Sequence, residues 1–286
     1  MGTHDPVVEA LARLGGARPT EDLRMLTSRR AVRAAVAEGA ILRVRRGMVR
    51  LPMLDEATAA AHDLRGARSH LSAALHHGWE VAAPPSAPMI TIPRTAHASA
   101  RRARIFWSTL SAQELADGVT DPVRTVVDCA RTMPFGDALA VADSALRSRR
   151  VRTNELIAAA EASPRTGRSK ALRVARAADG RAANPFESLL RGIALGVPGL
   201  SVVPQVHIGG DEFIGAADLV DVGLGLVIEA ESWGYHGDRA AFDRDVRRYT
   251  AMVRAGWRVV RFLWHDVRHR PAHVGAVLAD LVAVSR

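Results

Sequence analysis

Three acidic residues in the last third of the chain have the types and spacing for metal chemistry. Asp218 ends one predicted strand, and Glu229 and Glu231 lie two apart in the next, Leu226-Val227-Ile228-Glu229-Ala230-Glu231. Residues two apart on a strand point to one face, here opposite to Ile228, which is free to enter a core. If the strands pair as a hairpin around Gly223, Asp218 comes next to Glu229. Two or three carboxylates converging at a strand edge are costly without a cation and suit a hard, octahedral Mg2+ or Mn2+. Such an ion orients a water and neutralises a phosphodiester as it is cleaved. The competing reading is an exposed strand face. The apolar context LVIEAES argues against it, since a core strand is rarely interrupted by two exposed acids.

A second set of residues is basic. Residues 1–52 carry ten Arg against five acids, and seven of those arginines fall on two predicted elements: Arg29, Arg30 and Arg33, then Arg43, Arg45, Arg46 and Arg50. Arg binds phosphate bidentately and releases counterions. The periodicity predicts helices over Pro6 to Leu14, Glu21 to Leu26 and Arg29 to Glu38, the last capped by Ser28. Two strands, Ile41 to Arg45 and Met48 to Leu51, then turn at Arg46-Gly47. Three short helices and a hairpin predict a winged helix-turn-helix, with the third helix in the major groove and the hairpin on the backbone.

The acids need elements to hold them. Asn184-Pro185-Phe186-Glu187 reads as a helix start, with Asn as N-cap, Pro first and Glu third. Strands are predicted at Leu200 to Ile208, Phe213 to Val220 and Leu224 to Glu231, the first two joined by a Gly209-Gly210-Asp211 turn. A helix from Asp238 to Ala255, a strand from Trp257 to Leu263 and a helix from Ala272 to Val284 complete the order. Between 53 and 183 the sequence predicts strands at Met89 to Ile92 and Arg104 to Trp107, and helices from Pro122 and from Asp137 to Arg147. Cys129 reads as a buried structural thiol. Residues 164–183 read as a basic helical connector without a clear apolar stripe, marking a domain boundary. The expected organisation is an α/β multi-domain chain: 1–52 winged helix-turn-helix, 53–183 α/β middle region, and 184–286 an αβββαβ domain.

Composition limits the alternatives. The chain has 286 residues, 48% hydrophobic and 24% charged, a net charge of +9, and one cysteine. It is long enough for two or three cores, and it excludes an intrachain disulfide framework and CxxC zinc or redox sites. Its one lysine, Lys170, lacks the glycines of a Walker A loop. The positive charge suits an anionic partner. No secretory signal is expected from MGTHDPVVEALARLGG, and the uncharged run Gly192 to Gly210 reads as helix end, loop and strand. The expected location is cytoplasmic, without membrane contact.

Two resemblances sharpen this reading. The stretch LARLGGARPTEDLRMLTSRRAVRAAVAEGAILRVRRGMVRLP resembles the N-terminal domain of antitoxins from type IV (abortive-infection) toxin–antitoxin systems, and TDPVRTVVDCA is more weakly similar to a helix of that family. The resemblance implies autorepression of a promoter and a cognate toxin as partner. Across 184–286, the pieces PFESLLR, AADLVD, LVIEAESWGYHG, FDRDVRRY and AGWRVVRFLW resemble the PD-(D/E)XK nuclease fold near the very-short-patch-repair endonucleases. That resemblance implies Asp218 and Glu229 as carboxylates holding Mg2+ or Mn2+, with Glu187, Glu231 and His236 as further active-site residues. It also matches Asp245 and Arg248 to an Asp-x-x-Arg pattern. Glu231 occupies the motif's lysine position, and alanine rather than proline precedes Asp218. The expected function is a DNA-binding protein with a metal-dependent endonuclease domain. The alternatives are a non-catalytic regulator or antitoxin on a degenerate nuclease fold, and a defence or repair accessory protein acting through a partner. A cognate toxin and a second copy of itself are the candidate protein partners.

Overall fold

The computed structural model describes residues 6–13, 17–45, 47–51, 55–98, 102–209, 213–231 and 239–285. Arg46, His236, the Asp238 helix start and the Gly210-Asp211 turn lie outside the described residues. The chain is a mixed α/β protein of two compact units, Met1–His76 with Pro85–Asp121, and His77–Pro84 with Pro122–Arg286. The boundaries drawn from sequence at 52/53 and 183/184 do not fall at this division. No helix among the described residues is long and apolar enough to cross a membrane.

The first unit begins with α1 (Pro6–Arg13), β1 (Ala17–Pro19), α2 (Thr20–Leu26), α3 (Arg29–Ala37), β2 (Leu42–Arg45) and β3 (Met48–Arg50). β3 lies between β1 and β2 and is antiparallel to both. Val7, Leu11, Leu23, Val32, Ala35, Ile41 and Val49 form one buried cluster, so the helices are held by burial rather than by propensity. Ser28, in extended conformation, accepts the Ala31 N–H at 3.1 Å and starts α3, a cap worth about 1 kcal/mol. β1 escapes a sequence reading because three residues ending in proline carry almost no strand signal.

The unit continues through α4 (Glu56–Asp63), β4 (Ala67–Arg68), α5 (His70–His76), β5 (Met89–Ile92), β6 (Arg104–Trp107) and α6 (Ala112–Asp117). β5 is central, antiparallel to β4 and parallel to β6. Gly66 permits the approach of α4 to this sheet, since a Cβ there would lie 2.3 Å from the Thr91 carbonyl oxygen.

The second unit opens with four helices: α7 (Pro122–Thr132), α8 (Phe135–Arg147), α9 (Thr153–Ala162) and α10 (Arg168–Ala177). Cys129 is fully buried in α7, and burial raises its thiol further from ionisation. The 164–183 segment holds the expected helix, but with an apolar stripe that the sequence reading lacks. In α10, Ala171, Val174 and Ala175 are buried, a small-residue stripe that a search for large apolar side chains overlooks.

α11 (Pro185–Ala194) follows, then β7 (Val203–Gly209), β8 (Phe213–Asp221), β9 (Leu226–Glu231), α12 (Arg239–Arg254), β10 (Arg258–Leu263), α13 (Trp264–His269) and α14 (Pro271–Ala283). A buried ion pair fixes α11 to α8: Arg191 Nη2 donates to both carboxylate oxygens of Asp143 at 2.7 Å. Ser188 Oγ also donates to Asp143 at 2.7 Å and the Asp179 N–H at 2.8 Å, so the acid is well satisfied. The strands form one sheet in the order β10-β9-β8-β7, antiparallel except for β9 with β10. Leu219, Ile228 and Phe262 join a cluster with Phe186, Leu190, Val274 and Leu278. Val220, Val227 and Ile208 join another with Met252 and Tyr249. Both faces are therefore covered, which accounts for the nearly continuous apolar strands.

Candidate functional site

The site begins with a turn. Asp221, at the end of β8, accepts the Leu224 N–H at 3.0 Å and the Ser201 N–H at 2.6 Å. This caps the hairpin and sets its register: Asp221 opposite Leu226, Val220 opposite Val227, Leu219 opposite Ile228. The ladder between β8 and β9 stops there. Beyond it, β8 remains paired with β7, and β9 with β10. Asp218 and Glu229 are thus the first residues past the last pair, in the fork between the two strands.

The Asp218 carboxylate takes the place of a ladder carbonyl, accepting the Ala230 N–H at 2.8 Å. Burial raises its pKa, opposed by that N–H and by Arg248. Glu229 is 3% exposed. Burial first, and then the charge of Asp218, push its pKa from 4.5 up to about 7, with Arg248 opposing. Its Oε2 accepts from Arg248 Nη2 at 3.2 Å, while its buried Oε1 has no hydrogen-bond donor. A buried acceptor left in this state costs about 1–3 kcal/mol; a proton shared with Asp218, whose carboxylate is within hydrogen-bond reach of Glu229, or a cation would satisfy it.

Glu187, on α11, completes the group of acids through an intermediary. It accepts the Ala183 N–H and Asn184 Nδ2, each at 2.8 Å, while Asn184 Oδ1 caps the Phe186 and Glu187 N–H groups. The expected cap is therefore present. The Glu187 carboxylate also accepts from Gln205 Nε2 at 2.9 Å, and the same Nε2 reaches Asp218 Oδ1 at 3.4 Å. Burial and the Asp218 charge raise the Glu187 pKa. Gln205 has φ of +53° inside β7, a conformation that costs a non-glycine residue roughly 1–3 kcal/mol. That strained residue bridges two of the acids.

Glu231 does not join them. Its carboxylate accepts from Arg261 Nε at 2.9 Å and from Arg261 Nη2. Arg248 turns from α12 to the fork: Nη1 donates to the Ala216 carbonyl at 3.0 Å and Nη2 to Tyr249 Oη at 2.9 Å, besides Glu229. Gly215 leaves room for its stem, since a Cβ there would come within 3.0 Å of Arg248 Cδ. Both guanidiniums stand over the Tyr249 ring, Arg261 at 4.1 Å and Arg248 at 4.8 Å from its centroid. Among the described residues, no three His, Cys, Asp or Glu side chains gather as a metal-holding group. Asp218 and Glu229 are two oxygen donors for a hard cation, with Glu187 one hydrogen-bonded residue away.

Sequence reasoning finds Asp218, Glu229 and Glu187, and the fold brings them together. Gln205, Tyr249 and Arg261, not named from the sequence, also contact this group of side chains. Arg261 is visible in the sequence only as a charge within an apolar strand, RVVRFL, and Gln205 only as a polar residue in another.

The basic set lies in the other unit. Arg29, Arg30 and Arg33 are exposed on α3, on the side away from buried Val32 and Ala35, and Arg43 is exposed on β2. Arg45 lies in β2, and Arg50 in β3 donates to the Leu51 carbonyl at 3.2 Å.

No family model matches the chain. A stretch of 163 residues is 33% identical to the uncharacterized protein Rv2248 of Mycobacterium tuberculosis (strain ATCC 25618 / H37Rv) and equally to MT2308 of strain CDC 1551 / Oshkosh. The match takes in 56% of this chain, and the chain spans about 60% of the length of these relatives. The crystal structure of the RV2827C protein from Mycobacterium tuberculosis is similar over 72% of this chain and 86% of that one, at 17% identity and a TM-score of 0.36.

Proposed function

We propose that the protein binds DNA through an N-terminal winged helix-turn-helix and carries a PD-(D/E)XK-type, divalent-metal-dependent endonuclease site in its second unit. The observation that carries the proposal is the fork: Asp218 and Glu229 meet where β8 and β9 part, with a buried Glu229 oxygen lacking a donor. Bound Mg2+ or Mn2+ would supply Lewis acidity and an activated water. Asp218 and Glu229 would hold the ion, and the Ala230 N–H and Arg248 orient the two carboxylates. Gln205 keeps Glu187 aligned with Asp218. The exposed arginines of α3 and Arg43 of β2 supply affinity for the DNA backbone. His236 remains a candidate proton carrier by resemblance alone. The proposed location is cytoplasmic.

A second reading has its own observation. Glu231 stands where the motif has lysine and is bound by Arg261, as suits a non-catalytic regulator or antitoxin with a cognate toxin or a second copy as partner. Incubation of the full chain with duplex and single-stranded DNA separates the two. The nuclease reading expects cleavage with Mg2+ or Mn2+, none with EDTA, and none by Asp218→Asn, which keeps its DNA affinity. Absence of cleavage with every substrate and ion leaves the regulator; cleavage surviving Asp218→Asn moves the site elsewhere.

A further inference from the structure

We propose that Arg261 is the phosphate-binding cation of the acid fork, held ready by Glu231 and Tyr249, and that it supplies from β10 the positive charge which residue 231 lacks. This rests on the nuclease reading of the site.

The geometry distinguishes Arg261 from its neighbour. Parallel pairing sets Arg261 directly opposite Glu229, and Leu263 opposite Glu231. Arg261 is therefore the residue of β10 beside the acid in the fork. The two terminal nitrogens of Arg248 are already divided among Ala216, Glu229 and Tyr249, and its Nε is buried. Arg261 has 41% of its side chain exposed, and among the described residues its hydrogen bonds run to one atom, Oε2 of Glu231.

The Arg261 end of the pair is open to solvent while Glu231 is 17% exposed, so the guanidinium is reachable by an incoming anion. An arriving phosphate can replace Glu231, because a guanidinium meets phosphate oxygens through two parallel N–H bonds. The Tyr249 ring, its centroid 4.1 Å from the guanidinium carbon, holds the cation in place and reduces the ordering cost of the exchange. Until phosphate arrives, Glu231 keeps the cation at the fork.

The test uses the full chain carrying Arg29→Ala, Arg30→Ala and Arg33→Ala, so that α3 does not mask a contact at the fork. Binding of a short DNA duplex is followed by fluorescence anisotropy across a salt series, with Ca2+ as the divalent ion. Arg261→Met keeps the stem and removes the charge. It should weaken binding about tenfold and lower the log–log salt slope by about 0.9. Arg261→Lys should restore the slope while recovering only part of the affinity, because it lacks the bidentate fork. Glu231→Gln keeps an acceptor that holds the guanidinium but removes the charge that competes with phosphate, so it should bind at least as tightly as the parent.

Unchanged affinity and slope in Arg261→Met, or no duplex binding by the parent, overturns the proposal. So does Glu231→Gln weakening binding as much as Arg261→Met, since the pair is then only structural. Arg261-dependent binding by a protein that never cleaves DNA would instead remove the nuclease reading and leave this contact standing. Cleavage with Arg261-independent binding would do the reverse.

Discussion

Asp218 and Glu229 meet just past the last paired residues of two antiparallel strands, where the ladder from Asp221–Leu226 to Leu219–Ile228 ends. The Ala230 N–H, deprived of a cross-strand carbonyl, donates to the Asp218 carboxylate. One acid thus repairs the opening that brings it beside the other. The energetic consequence is repulsion in a buried place, which a proton or a cation relieves.

The proton form gives a pH prediction. Glu229 titrates at about 7 in the folded chain against an ordinary 4.5. A raised acid contributes stability that is complete below the ordinary value and is lost as pH rises through the folded one. In EDTA, the stability of Glu229→Gln relative to the parent should therefore improve between pH 5 and pH 8 by on the order of 1–3 kcal/mol. Urea unfolding at both values measures it. An equal difference at the two pH values contradicts the assignment.

Metal binding should compete with that proton. Mn2+ titrated at pH 6 should release about one proton per ion, seen as a calorimetric heat that varies with the ionisation enthalpy of the buffer. At pH 8.5 the dependence should nearly vanish. A buffer-independent heat at pH 6 means the ion does not displace the shared proton.

Local signals are legible in the sequence, and tertiary ones are hidden. Asn184, Pro185 and Glu187 are a helix start that can be read within four residues, and the alternation in LVIEAE shows that Glu229 and Glu231 share a face. Only the register of β9 with β10 reveals that Arg261 stands opposite Glu229 and binds Glu231. The positive φ of Gln205 has no sequence signature, since glycine or asparagine normally marks such positions. The short α13 escapes detection because one turn and a half has no period to read. The 164–183 segment misleads because alanines pack as well as leucines where helices approach closely.

The buried ion pair between α8 and α11 has its own test. Arg191→Ala leaves buried Asp143 without its cation and should cost about 3–5 kcal/mol, measured by urea unfolding at pH 7. A cost below about 1 kcal/mol would mean that the pair is solvated and does not hold α11 to α8.

On the DNA side, replacing Arg29, Arg30 and Arg33 together with alanine should lower the salt slope of duplex binding by about 0.9 for each phosphate that is no longer neutralised. Their exposure on α3 makes the folded state indifferent to the change, so the melting temperature should hold. An unchanged slope removes α3 from the interface.

The most direct measurement is diffraction from crystals of the full chain soaked in Mn2+, collected at a wavelength where manganese scatters anomalously. The account predicts an anomalous peak between the carboxylates of Asp218 and Glu229, with Oε1 of Glu229 among its ligands and the peak absent in Asp218→Asn. A fully soaked crystal with no peak in the fork, or with manganese bound only elsewhere on the chain, would contradict it.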